Sequence, residues 1–132
     1  MTTSVPMTLT RILRTAAHLN DNSANYASVP AMKGKELQKA VIEYAHLKHW
    51  TVAHFPAVET TRGWRTAIAG DATGFPDLLL VRERVIVIEI KGDGDTVKLE
   101  QEEWQRKFRA AGAEAYVVRP KDWPDVVREI LD

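Results

Sequence analysis

Cysteine is absent from the 132 residues of this chain. That excludes disulfides and thiolate metal sites and is compatible with a reducing compartment. Long apolar runs are missing too: nothing approaches the roughly 18 residues that a membrane span needs. No apolar stretch with a small-residue cleavage site opens the chain, so no signal peptide is expected and the predicted location is cytoplasmic. An excess of charge of one sign is also lacking, because 18 Lys+Arg balance 18 Asp+Glu. Whole-molecule attraction to nucleic acid is therefore absent, and such binding must rest on local basic patches or on metal ions that offset phosphate repulsion. What is present, 45% apolar residues with no internal repeat, suits one compact domain with a modest core.

Residues 1–31 form an expected N-terminal arm, helical or flexible, ahead of a domain over 32–132. "LTRILRTAAHL" has the pattern of a short basic amphipathic helix, and "NDNSANYASVP" that of a loop. From Lys35 the pattern sharpens. Leu37, Val41, Tyr44, Ala45 and Lys48 recur at helical spacing. "TVAHFPAV" (Thr51 to Val58) predicts a strand that Pro56 pushes toward an edge. "ETTRGWRTAIAGDATG" predicts a polar loop, long for a compact domain, and such loops are often functional. Strands follow over Asp77–Arg82 and Val85–Lys91. "VKLEQEEWQRKFRAAG" predicts a helix with Gln101, Trp104, Gln105 and Phe108 on one side and Gly112 as its stop. "AEAYVV" is a further strand, and Asp122 with Asp125 is placed to cap a last helix over "WPDVVREILD". The order is α-β-β-β-α-β-α, an α/β fold.

Within this order "GFPDLLLVRERVIVIEIKG" places charges on apolar strands, which is costly unless they share a task. Alternation puts Glu89 and Lys91 on one face with Val87, and Ile86, Ile88 and Ile90 on the other. A hairpin centred near Glu83 sets Asp77 opposite Glu89, pointing to the same face. Two carboxylates so placed are hard oxygen ligands for Mg²⁺ or Mn²⁺, with the Ile90 backbone carbonyl as a further ligand. Such a metal polarises a phosphoryl oxygen and acidifies water. Lys91 would orient that water or stabilise developing charge. A hairpin that merely ends in a salt bridge is the plain alternative. Gly74 and Pro76, which stiffen the approach to Asp77, weigh against it.

"TGFPDLLLV", "VIVIEIKG" and "EQEEWQRKFRAAGAEAYVVR" together resemble the VRR-NUC domain of the PD-(D/E)xK nucleases, over about Lys35 to Val127. The resemblance implies a restriction-endonuclease-like core with a mixed central sheet flanked by helices. It implies Asp77 and Glu89 as metal ligands, Lys91 as the catalytic lysine, Glu36 supporting the metal through water, and Gln101 helping to hold the site or contact DNA. By charge alone, Glu36 also suits a helix N-terminus. The expected activity is Mg²⁺- or Mn²⁺-dependent endonucleolytic hydrolysis of DNA, selective for branched DNA or a four-way (Holliday) junction. A homodimer is expected where both strands are cut, working in the host cytoplasm if the chain is phage-encoded. Two alternatives remain: a catalytically impaired DNA-binding or assembly module of phage replication or recombination, and a sequence-specific restriction-type endonuclease.

Arg62, Trp64 and Arg65 suit stacking on a base and contact with phosphates, or a tryptophan folded onto the core beneath solvated arginines. Lys98 and "RKFR" (Arg106 to Arg109) add positive charge near the expected site. Arg119 and Lys121 either reach DNA or stay solvated, and Trp123 is a packing anchor. Asp93 and Asp95 fit a turn better than a metal site. His46, His49 and His54 lack zinc-site spacing. "KGDGD" lacks the spacing of a nucleotide-binding phosphate loop.

Overall fold

The computed structural model describes residues 32–55, 58–61, 63–65 and 70–132. The expected N-terminal arm and Arg62 lie outside these residues. Helix α1 (Gly34–Leu47) buries Leu37, Val41 and Ala45, one stripe at four-residue spacing. Lys48, expected on that stripe, caps the helix end instead. There the Trp50 N–H donates to the Ala45 carbonyl (2.9 Å) and the His49 N–H to that of His46 (3.0 Å). This closure needs a left-handed residue, usually glycine, and His49 fills the position at φ 66°. Trp50 then enters the core, its indole N–H donating to the Leu131 carbonyl at 2.9 Å.

The main sheet has the order β1-β4-β5-β6, where β1 is Thr51–His54, β4 Leu78–Val81, β5 Val85–Ile90 and β6 Glu114–Val118. The first two pairings are antiparallel and the last is parallel, so the sheet is mixed. Helix α2 (Leu99–Ala110) makes the crossover from β5 to β6, as a parallel pair requires. The expected strand over Thr51–Val58 stops at His54. Val58 instead begins a separate two-stranded hairpin, β2 (Val58–Thr60) with β3 (Gly63–Arg65), inside the segment expected to be loop.

Alternation sorts the strands onto two layers. Val52, Leu78, Leu80, Ile86, Ile88, Tyr116 and Val118 pack with α1 and with Val126, Val127, Ile130 and Leu131 of α3 (Asp125–Leu131). Each fully buried Ile or Leu stabilises the fold by about 1.5–3 kcal/mol. Val87, Glu89 and Ala115 point to the other face, which α2 covers. The last helix starts differently from expectation. Asp122 accepts the Arg119 N–H at 2.8 Å and so closes the short 3₁₀ turn Pro120–Asp122, and α3 begins afterwards without a side-chain cap. Trp123 does anchor this region, edge-on to Tyr44 with centroids 6.5 Å apart.

Candidate active site

A tight turn at 82–84, in which the Arg82 N–H donates to the Arg84 carbonyl at 3.1 Å, and two-residue alternation fix the β4–β5 register: Leu78 pairs with Ile88 and Val81 with Val85. One step beyond the last pair, Asp77 stands opposite Glu89. Here the ladder changes hands, because the Ile90 N–H donates to Asp77 Oδ2 (2.8 Å) rather than to a backbone carbonyl. In an extended strand the N–H and C=O of one residue point to the same side. The Lys91 N–H on the other side donates to the Val118 carbonyl at 3.0 Å. The Ile90 carbonyl therefore faces Asp77.

Glu89 is 3% exposed, on the face covered by α2. Gln101, in the first turn of α2, donates from Nε2 to Glu89 Oε1 at 3.1 Å. Its own Oε1 accepts the Lys98 N–H at 2.9 Å, so one amide both caps the helix and holds the acid. The other carboxylate oxygen, Glu89 Oε2, is buried with no protein partner. Burial, and secondly the adjacent Asp77 carboxylate, push the Glu89 carboxyl up to about 8, while Lys91 pulls the other way. Two carboxylates thus compete for one partly dry space with a half-buried ammonium beside them.

The loop after Lys91 is tightly pinned. Asp95 Oδ2 accepts the Gly92 N–H at 3.0 Å, so this aspartate builds a turn. Arg119, at the end of β6, donates to the carbonyls of Gly92 and Asp95, both at 2.7 Å. Arg119 is half-buried, and its guanidinium has a role that neither sequence reading gave it: it holds the segment that carries Lys91. Gly74 is equally constrained. It adopts φ +83°, and a Cβ there would lie 2.6 Å from the Glu100 backbone carbon. The approach to Asp77 is thereby pressed against the first turn of α2.

Glu36 is exposed in the first turn of α1, in the opposite layer from α2. Only Lys48–Trp50 joins α1 to β1, so helix and strand run antiparallel and Glu36 lies toward the end of the sheet where β5 finishes. Among the described residues no three Asp, Glu or His side chains gather as a metal-holding group, His46, His49 and His54 included. Trp64 and Arg65 lie on β3. Lys98 is exposed immediately before α2, next to Gln101. The run Arg106–Arg109 does not adjoin the site. It occupies the later half of α2, roughly 7 to 12 Å along the axis from Gln101, and Arg109 donates to the Ala115 carbonyl at 2.6 Å.

Sequence reasoning missed Arg119 as a pin and Phe55 as a neighbour of the site. Continuing the register of β1 with β4, in which His54 pairs with Leu78, sets Phe55 opposite Asp77. The β1–β4 pairing, once known, was signal enough to find it.

A mixed four-stranded sheet between helices, with two carboxylates and a lysine converging where its central strands end, defines a nuclease-type α/β domain of the restriction-endonuclease-like class. The VRR-NUC domain model matches residues 31–122, well over half of the chain. A solved VRR_NUC domain protein superposes with a TM-score of 0.53 at 24% identity, over 76% of this chain and 87% of that one, a likeness that carries the fold alone. No match was found among curated proteins. The chain belongs to the VRR-NUC domain family, a family of nucleases.

Proposed function

We propose that this chain is a Mg²⁺- or Mn²⁺-dependent endonuclease that hydrolyses DNA phosphodiesters, with branched or four-way-junction DNA as its preferred substrate. The observation that carries this reading is the buried, unpartnered Glu89 Oε2 beside the Asp77 carboxylate. Holding a buried carboxylate oxygen without a partner beside a second, half-buried carboxylate is costly, and a hard divalent ion answers both groups at once. Asp77, Glu89 and the Ile90 carbonyl would hold it, with Glu36 reaching it through water. Mg²⁺ characteristically keeps several waters and takes only one or two carboxylates, so this small donor set fits it.

When bound, such an ion supplies Lewis acidity toward the phosphoryl oxygen and toward water. Asp77 is oriented for ligation by the Ile90 N–H, and Glu89 by Gln101. The Lys91 ammonium orients the attacking water and offsets charge on the phosphoryl group. Water adds across one P–O ester bond, leaving a phosphate monoester and a hydroxyl. Near-zero net charge puts the burden of DNA contact on local groups, for which Lys98 and the Arg62–Arg65 segment are suited. One such site cuts one strand, so cutting both strands calls for a two-fold homodimer.

The test is cleavage of labelled duplex, flap, single-stranded and four-way DNA with Mg²⁺, Mn²⁺ or EDTA. Wild type should cut only with metal, and Asp77→Ala and Lys91→Ala should lose at least about 100-fold, about 3 kcal/mol of transition-state stabilisation. Cleavage that survives both substitutions overturns the assignment.

A further inference from the structure

Phe55 follows β1, and 54% of its surface is exposed. Tyr44, Phe75, Trp104, Phe108, Tyr116 and Trp123 are by contrast only half-exposed, and Trp50 is buried. The remaining large exposed apolar groups lie at the hairpin tip (Val81, Val85), at the end of α1 (Leu47) and at the start of α2 (Leu99).

Its location is what matters. Residues paired across antiparallel strands share a face, about 5 Å apart. Extending the two registers gives a row of Phe55, Asp77 and Glu89 on the α2 side. Ring contacts place Phe55 on that side independently. It meets Phe75 edge-to-face with centroids 5.7 Å apart. Phe75 in turn meets Trp104 (5.1 Å) and Phe108 (5.9 Å) of α2. Trp104 is itself fixed, its indole N–H donating to the carbonyls of Asp71 and Thr73. Phe55 is thus the open end of a braced edge-to-face aromatic cluster, one strand away from the carboxylate of Asp77.

We propose that Phe55 is a stacking platform for an unpaired base adjoining the scissile phosphate. This rests on the nuclease reading above and names the feature of DNA that the site selects. A phosphate drawn to Asp77 and Glu89 brings its neighbouring nucleotide over the β1 side of the row, where Phe55 offers exposed ring surface and no hydrogen-bonding group. Every base has a π-face, so the contact is indifferent to sequence. Inside a duplex that face is already covered, so only a base that has left the stack can use the platform. Leaving costs least at a branch, a frayed end or a single strand. The ring contacts with Phe75 keep Phe55 ordered before DNA arrives, which lowers the entropic cost of binding.

The experiment compares wild type with Phe55→Ala, Phe55→Leu and Phe55→Trp on a branched DNA and on a fully paired duplex of the same sequence around the cut. Base stacking on an aromatic contributes about 1–3 kcal/mol, so Phe55→Ala and Phe55→Leu should each lower kcat/KM on the branched DNA about tenfold, and by less on the duplex. Phe55→Trp should retain the branched-DNA rate. Leucine restoring the wild-type rate, or an equal loss on both substrates, overturns the proposal, because either shows a packing role. Binding of an oligonucleotide with 2-aminopurine beside the cleavage position is followed in parallel. Its emission should change with wild type and with Phe55→Trp, and not with Phe55→Ala; an unaltered response in Phe55→Ala also overturns the platform. If wild type cuts no DNA with either metal, the nuclease reading falls, and the 2-aminopurine response still decides for or against stacking. Absence of any DNA binding overturns both.

Discussion

Gln101 Nε2 donates to Glu89 Oε1 at 3.1 Å, joining the first turn of α2 to the central strand of the sheet. Because the same side chain accepts the Lys98 N–H, Gln101→Leu removes two hydrogen bonds at once. It also leaves both oxygens of a buried carboxylate unpartnered, since Oε2 already is. The expected cost is about 1–3 kcal/mol. In a Glu89→Leu background the cost should shrink, because the orphaned acceptor is gone. Urea unfolding of the four variants in EDTA should give a coupling of about 1–2 kcal/mol. Additive losses would place Gln101's contribution wholly in the helix cap.

Glu89 sets a pH dependence of metal-free stability. Its folded-state pKa, raised to about 8, lies above its ordinary 4.5. Between those values the folded protein binds more protons than the unfolded one, so this group's stabilisation is complete below the lower value and declines as pH rises through the window. In EDTA, wild type should melt lower at pH 8 than at pH 5 by about 5 °C or more. Glu89→Gln, neutral throughout, should flatten that difference and melt above wild type at pH 8. Adding Mn²⁺ at pH 8 should raise the wild-type Tm and raise that of Glu89→Gln much less. Differential scanning fluorimetry across pH checks all three, and a flat wild-type profile in EDTA contradicts the prediction.

Two glycines separate backbone strain from collision. Gly74 (φ +83°) and Gly94 (φ +80°) share a left-handed backbone, yet a Cβ at Gly74 meets the Glu100 carbonyl oxygen at 2.8 Å while one at Gly94 meets nothing within 4 Å. Gly94→Ala should cost about 1 kcal/mol from conformation alone. Gly74→Ala should cost about 2–4 kcal/mol, because α2 must also give way. Displacing that turn moves Gln101, so nuclease activity should fall further than for Gly94→Ala. Chemical unfolding and cleavage rates measured together test this.

His49 is the reverse case, a side chain where glycine fits better. It is exposed and left-handed at the end of α1. His49→Gly relieves the strain and gives back part of the gain as unfolded-state entropy, for a net stabilisation of about 0.5–1 kcal/mol. A Tm rise of about 2–5 °C is expected. A fall in Tm shows that the imidazole makes a stabilising contact.

The hairpin and its charges were legible because they depend on local rules: a short turn, two-residue alternation and the cost of buried charge. Gln101 was legible for a related reason, a polar residue on an apolar helix face in need of a partner. The β2–β3 hairpin was not, because Val58–Arg65 has neither apolar alternation nor a strong turn dipeptide. Arg119 escaped because its partners are carbonyls 24 and 27 residues away, which no side-chain pattern advertises. Asp122 was misassigned because the same Asp-x-x spacing serves a 3₁₀ turn and an α-helix start. Phe55 was hidden by distance: its place beside Asp77 exists only after β1 joins β4.

Arg119 also sets when the centre is complete. All the groups that surround Asp77 on its sheet lie between Phe55 and Gln101, but the segment carrying Lys91 is moored to a strand and a guanidinium near the far end of the chain. As the chain leaves the ribosome, Asp77, Glu89 and Lys91 all emerge well before Val118 and Arg119, which fix the lysine's segment. All three charged groups are thus present by residue 91, yet the strand that carries Glu89 and the segment that carries Lys91 are secured only once β6 has paired and Arg119 has closed over Gly92.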